Sequence, residues 1–436
     1  MMKYHIMTYG CQMNEHDSER IAFILESLGY EKTEDQTKAD FLVYNTCLIR
    51  ENAELKVYGH LGAAKKQKRE NPDLMIAVCG CMMQTGPARH VIEKKYPHVD
   101  IIFGTSNIDK LPELINMSKT TGRLVVDIDE YIDDPTIGYR RNNDFSAYVN
   151  IMTGCNNFCT YCVVPYARGR EKSRPIEEIV QEVKTLVDRG FIEVTLLGQN
   201  VNSYGKELGV SFPELLYAIA DQVPDLTILR FVTSHPKDLS DELIYAMRDI
   251  PMIEKHFHLP LQSGSTKVLK EMNRRYSRED YLERLDKLRK EVPGIAISTD
   301  LIVGFPGETE EDHLETISLC KEARFESAFT FIYSRRPGTP ADKREDQVEE
   351  KVKSRRFNEL LDVIYPIFKE KNQEEIGSVQ KVLLENVSKN NEEVLSGRSL
   401  TNKLVHVKAD KKYIGKLVNV KIKSCTSFTL EGDLCE

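Results

Sequence analysis

Gly154-Cys155-Asn156-Asn157-Phe158-Cys159-Thr160-Tyr161-Cys162 carries three thiols at the spacing Cys-x-x-x-Cys-x-x-Cys. It follows Ala147-Tyr148-Val149-Asn150-Ile151-Met152, an apolar run that reads as a buried strand. Three thiolates on one loop suit three irons of a cubane 4Fe-4S cluster and leave the fourth iron without a protein ligand. Zinc is the rival ion, but a structural zinc site wants four ligands and no fourth Cys or His lies nearby. The residues between the cysteines do not read as a packed helix face, which argues against three unrelated core thiols.

Outward from this loop, six strand candidates recur at 147–152, 193–198, 228–233, 256–261, 296–303 and 328–333. Helical stripes separate them; residues 176, 179, 180, 183, 186 and 187 form one such face, closed by Gly190. Six βα units predict an open (β/α)6 partial TIM barrel over 147–373, with active groups at the carboxyl ends of its strands. Those ends carry Gly198-Gln199-Asn200, Thr233-Ser234-His235-Pro236, Leu261-Gln262-Ser263-Gly264, and Asp300 with the loop 304–308. His235 reads as a loop histidine bonded to backbone in preference to a catalytic acid.

The N-terminal third alternates strands (4–8, 41–45, 75–79, 100–103) with helices, the first over 17–29, and predicts a parallel α/β domain over 1–118. Cys11, Cys47 and Cys81 each follow a strand, and carboxyl ends of parallel strands share one edge. Their convergence would build a second three-thiolate site with a vacant iron; the bland alternative is three loop cysteines without a ligand role. Cys79 ends an apolar run and behaves as a buried hydrophobe, so Cys81 is the expected third ligand. Residues 119–146 read as a linker between domains.

From 374 to 436 short alternating strands predict a small β-barrel. Residues 381–423 hold ten Lys or Arg against four Asp or Glu in a chain of net charge −8, which reads as a nucleic-acid clamp; lysine-edged packing is the alternative. Arg168, Arg170, Lys172 and Arg174 follow the cluster loop and are expected to contact RNA or the SAM carboxylate; a solvated basic face is the alternative. No stretch approaches ~18 apolar residues, so no membrane span is expected. Ten cysteines are too sparse for a disulfide scaffold, which points to a reducing cytoplasm.

The loop 155–162, with Tyr161 before its last cysteine, resembles the cluster loop of radical S-adenosylmethionine (SAM) enzymes. Gly10-Cys11-Gln12-Met13-Asn14, Asn45-Thr46-Cys47 and Gly80-Cys81-Met82-Met83-Gln84 beside such a loop resemble the methylthiotransferases. Asn45-Thr46-Cys47-Leu48-Ile49-Arg50, Tyr58-Gly59-His60-Leu61-Gly62 and Asn156-Asn157-Phe158 are similar to the MiaB branch. The resemblance implies two 4Fe-4S clusters and two SAM molecules, with Tyr161 near the SAM adenine and Gln199, Ser234 and Asp300 as SAM contacts. It implies a C-terminal TRAM domain, and methylthio transfer to C2 of isopentenyladenosine in a tRNA anticodon stem-loop. It also implies a low-potential electron donor, a sulfur donor and a monomer. Threonylcarbamoyl-adenosine or a ribosomal-protein aspartate are rival substrates, and a non-catalytic zinc-containing RNA-binding protein is the rival of another class.

Overall fold

In the computed structural model, which describes residues 1–48, 51–128, 138–389 and 391–435, the first sheet is wholly parallel. Its six strands run Glu31–Lys32, Lys3–Thr8, Phe41–Thr46, Met75–Gly80, Ile101–Phe103 and Val125–Asp127 across the sheet. Phe41–Thr46 and Met75–Gly80 are buried throughout, as central strands covered on both faces must be. One face packs Phe41, Val43, Ala77 and Ile101 against Ile21, Leu25 and Leu114; the other packs Leu42, Tyr44, Ile76 and Val78 against Val57, Leu61 and Ile92.

Two expectations change here. The helix expected over 17–29 begins earlier, at Gln12, directly after Cys11. The boundary expected at 118 falls inside the helix Leu111–Thr121, and Val125–Asp127, read as part of the linker 119–146, is the sixth strand. Three residues are too short a run to announce a strand; pairing with Ile101–Phe103 makes one. The rest of the acidic stretch, 129–137, and Ile49-Arg50 lie outside the described residues. The segments Met152–Phe158 and Cys162–Lys172 also pack with this first unit.

The central strands are Ser146–Asn150, Glu193–Leu197, Ile228–Phe231, His256–His258, Ala296–Val303 and Ser327–Ile332, one for each sequence candidate. All pair in parallel, in two runs of three joined by a parallel bridge between Leu229 and Ile253. The arc is the open six-unit barrel that the sequence predicts. After the helix Glu350–Gln373, five strands close a small barrel around Val382, Leu384, Leu395, Val405, Val407, Val420, Ile422 and Leu430.

The turn 399–403 of this small barrel seats at the amino-terminal end of the central strands. Lys255 N donates to Leu400 O at 2.8 Å, and Arg230 Nη2 to Ser399 O at 3.5 Å. Arg230 is itself buried between Glu193 and Glu254.

Candidate active site

The strand order of the first sheet reverses between Lys3–Thr8 and Phe41–Thr46, and crevices at such reversals collect ligands. Cys11 and Cys47 flank that reversal, and Cys81 follows the next strand over. Two glycines let the loops meet. A side chain on Gly10, at φ 129°, would lie 2.7 Å from Cys47 Cβ; one on Gly80, at φ 95°, would run into the Thr46 backbone. Buried amides lock the arrangement. Asn14 Nδ2 donates to Asn45 Oδ1 at 3.1 Å and to Thr46 O at 3.0 Å, and Asn45 Nδ2 returns a bond to Asn14 O at 2.8 Å. Cys11 Sγ lies 3.3 Å from Asn14 Oδ1.

Burial pushes the Cys81 thiol up to about 11, with Cys11 and Cys47 adding to the rise and Arg168 opposing it. Cys11 and Cys47 thus lie near enough to Cys81 for their charge to be felt there. Cys79 sits in the hydrophobic core instead, as its apolar run suggests, and burial raises its thiol well above the ordinary range.

Arg168, expected to face RNA, is 6% exposed. Its Nε donates to Cys81 Sγ at 3.1 Å and its Nη2 to Asp17 Oδ2 at 2.7 Å. That corrects the sequence reading: a buried guanidinium committed to a carboxylate and a thiol is not a phosphate contact. Arg174 is likewise committed, to Asn150 O at 2.7 Å and Glu182 Oε2 at 2.8 Å. Arg170 and Lys172 are exposed; the Arg170 guanidinium stacks 4.3 Å over the Phe158 ring.

In the cluster loop, Gly154 is required because a side chain there would strike the Arg170 carbonyl, and Cys155 N donates to Gly169 O at 3.1 Å. Phe158 holds φ 46°, a strained value for an aromatic residue. Thr160 N donates to Met272 O at 3.1 Å and its hydroxyl to Glu271 O at 2.9 Å. Cys155 and Cys159 are buried and Cys162 half-buried. Arg274, which the sequence did not single out, donates to Cys159 Sγ at 3.4 Å, to Tyr276 Oη at 2.9 Å and to Pro260 O at 2.8 Å.

Around the barrel mouth, Tyr161 packs beside Val268, Met272, Phe305 and Tyr333. Gln199 Oε1 is buried and has no hydrogen-bond partner among the described residues, nor has Tyr333 Oη. Such orphaned atoms fit a polar ligand that the chain itself does not supply. The Ser234 hydroxyl donates to His258 O, and Asp300 Oδ2 lies 3.5 Å from His258 Nε2. His235 Nδ1 accepts from Lys237 N at 3.3 Å, and burial beside Arg274 drives its pKa far below the histidine range. It is a neutral, backbone-bonded loop histidine. The donor sets fit iron–sulfur clusters: cysteines only, on glycine-supported loops, each set with a buried N–H aimed at a sulfur.

Three family models match in chain order: Uncharacterized protein family UPF0004 over 3–104, Radical SAM superfamily over 149–320, and TRAM domain over 373–435. A protein of Finegoldia magna named tRNA-2-methylthio-N(6)-dimethylallyladenosine synthase is 59% identical over 99% of this chain and 94% of its own length. The chain belongs to that family of radical SAM transferases. A relative from Acetivibrio thermocellus with the same name is 51% identical, over 99% of this chain and 90% of its own. Among solved structures, the radical SAM methyltransferase TsrM of Kitasatospora setae superposes with a TM-score of 0.59 at 16% identity, over 78% of this chain and 74% of that one; the likeness is one of fold. Among the described residues no helix is long and apolar enough to cross a membrane. The radical SAM match implies SAM and a 4Fe-4S cluster, and the relatives' printed name is that of a tRNA-modifying synthase.

Proposed function

We propose that this chain methylthiolates C2 of isopentenyladenosine beside the tRNA anticodon, with two 4Fe-4S clusters and two SAM molecules. Cys155, Cys159 and Cys162 hold one cluster and Cys11, Cys47 and Cys81 the other. What supports the reading is the close approach of the strand-end loops that bear Cys11, Cys47 and Cys81, allowed by Gly10 and Gly80, in a chain that also bears a radical SAM loop. When bound, the clusters and SAM supply the electron, the 5′-deoxyadenosyl radical and the methylthio group.

The chain's own residues bind and shield. Arg168 and Arg274 direct N–H groups at Cys81 and Cys159, which lowers the charge that each cluster presents. Tyr161 packs against the SAM adenine, and Gln199 Oε1, Ser234 and Asp300 meet its polar groups. Arg170 and Lys172 hold RNA phosphate, helped by the basic C-terminal barrel. Arg168 and Arg174 drop out of the RNA contact. The protein works as a monomer in the cytoplasm, with a low-potential electron donor and a sulfur donor.

The relatives' shared name favours isopentenyladenosine over threonylcarbamoyl-adenosine or a protein aspartate. Anaerobically reconstituted protein, incubated with SAM, reductant and isopentenylated anticodon stem-loop RNA, should add a methylthio mass to the nucleoside, and Cys155→Ala protein should not. If 5′-deoxyadenosine forms without that mass gain, the substrate assignment is wrong.

A further inference from the structure

The last barrel strand, Ser327–Ile332, ends its sheet and alternates in exposure, with Phe329 58% and Phe331 43% exposed. Two exposed phenylalanines on one face of an edge strand invite unwanted pairing and are kept only where something covers them. The register says which face they share. Phe329 pairs with Asp300 and Phe331 with Ile302, and paired residues in a sheet point the same way.

That face leads to the cluster loop. Ile302 packs against the same apolar group (Val268, Met272, Phe305, Tyr333) as Tyr161. Beside it lie Asp300 and His258, whose ring meets Phe329 edge-on at 6.0 Å between centroids. The opposite face, Ile297, Thr299, Leu301 and Val303, is fully buried. The exposed rings therefore continue the polar, ligand-facing wall of the barrel outward to its open edge.

We infer that Phe329 and Phe331 form the platform that receives the prenylated adenine of the substrate RNA. The inference rests on the isopentenyladenosine reading and adds how that group is recognised. Single-stranded bases are read by stacking on aromatic side chains, and residues two apart on a strand stand about 6.6 Å from each other, so both rings can touch one flat ligand. A dimethylallyl tail has no polar group, so phenylalanine faces gain by covering it. A threonylcarbamoyl tail, which carries a carboxylate, would be poorly received on the same rings.

The test measures binding of two anticodon stem-loops, identical except for the isopentenyl group, to wild-type protein and to F329A/F331A. Wild type should prefer the prenylated RNA, and the variant should bind both RNAs more weakly and lose roughly ten-fold of the preference between them. Wild-type iron content and melting temperature show that the variant is folded. Wild type that binds both RNAs equally, or a variant with unchanged preference, overturns the platform. The reading beneath it is checked separately: wild type that binds the prenylated RNA selectively yet never methylthiolates it sinks the function and leaves a recognition site standing.

Discussion

The two thiol sites are built by opposite routes. The central one takes its cysteines from a single loop, so spacing alone announces it. The N-terminal one draws Cys11, Cys47 and Cys81 from three strand ends, and only the parallel sheet with its glycine contacts brings them together. Both nevertheless place a buried guanidinium on a sulfur. The partners of those guanidinia differ. Arg168 is neutralised by Asp17, 2.7 Å away, whereas the hydrogen-bond partners of Arg274 include no carboxylate: a tyrosine hydroxyl, a carbonyl and Cys159 Sγ. A buried cation without a carboxylate needs anionic charge beside it, and a thiolate-bound cluster supplies that. The lesson is that the local loop relies on a net positive neighbour, while the convergent site is held by a neutral pair and by shape.

The largest test of this contrast removes the thiols. Cys159→Ala should abolish SAM cleavage and lower bound iron by about four per chain. Cys47→Ala should lower iron by a similar amount and abolish methylthiolation, yet leave SAM cleavage running. Iron analysis with product chromatography reads both; loss of cleavage in Cys47→Ala would mean that the sites do not work separately.

Gly80→Ala comes next. Its new methyl meets the Thr46 backbone at a left-handed φ, so the N-terminal unit should lose about 1–3 kcal/mol and retain less iron at its own site, measured by thermal melting and iron content. Gly154→Ala should spare that site and damage the other.

The charge difference gives a finer test. Arg274→Gln should lower the midpoint potential of the central cluster by on the order of 59 mV, a tenfold change in a one-electron equilibrium. Arg168→Gln should shift the cluster proposed at Cys11, Cys47 and Cys81 less, because Asp17 already cancels most of its charge. Redox titration followed by electron paramagnetic resonance decides; equal shifts would break the comparison.

The smallest effect belongs to His235. Its folded pKa lies below the ordinary value of about 6.5, so as pH falls past that value only the unfolded chain gains a proton. Stability from this group is whole above about pH 6.5 and declines by up to about 1.4 kcal/mol per pH unit below it. Melting curves at pH 5.5 and 7.5 should show a smaller pH difference for His235→Asn than for wild type.

Much of this was written in the chain. Six apolar runs marked six barrel strands, and the step from Cys79 to Cys81 across Gly80 separated a core thiol from a loop thiol. Side chains whose meaning depends on a distant partner were illegible. Arg168 sat in a basic run that looked like an RNA surface, and only Asp17, far off in sequence, shows where it goes. Asp17 in turn lay in a helix whose polar residues, His16 to Arg20, are buried. Arg274 followed a helix end with nothing nearby to mark it. Val125–Asp127 was too short to declare itself.

The turn 399–403 forms the floor of the catalytic barrel, beneath Arg230 with its two buried glutamates. The C-terminal module is thus not a handle that can be cut off to ask what RNA binding contributes. A chain truncated after residue 373 would open that charged floor to water, and its inactivity would report a broken vessel. Swapping basic residues on the far side of the small barrel, with the turn intact, separates grip from architecture.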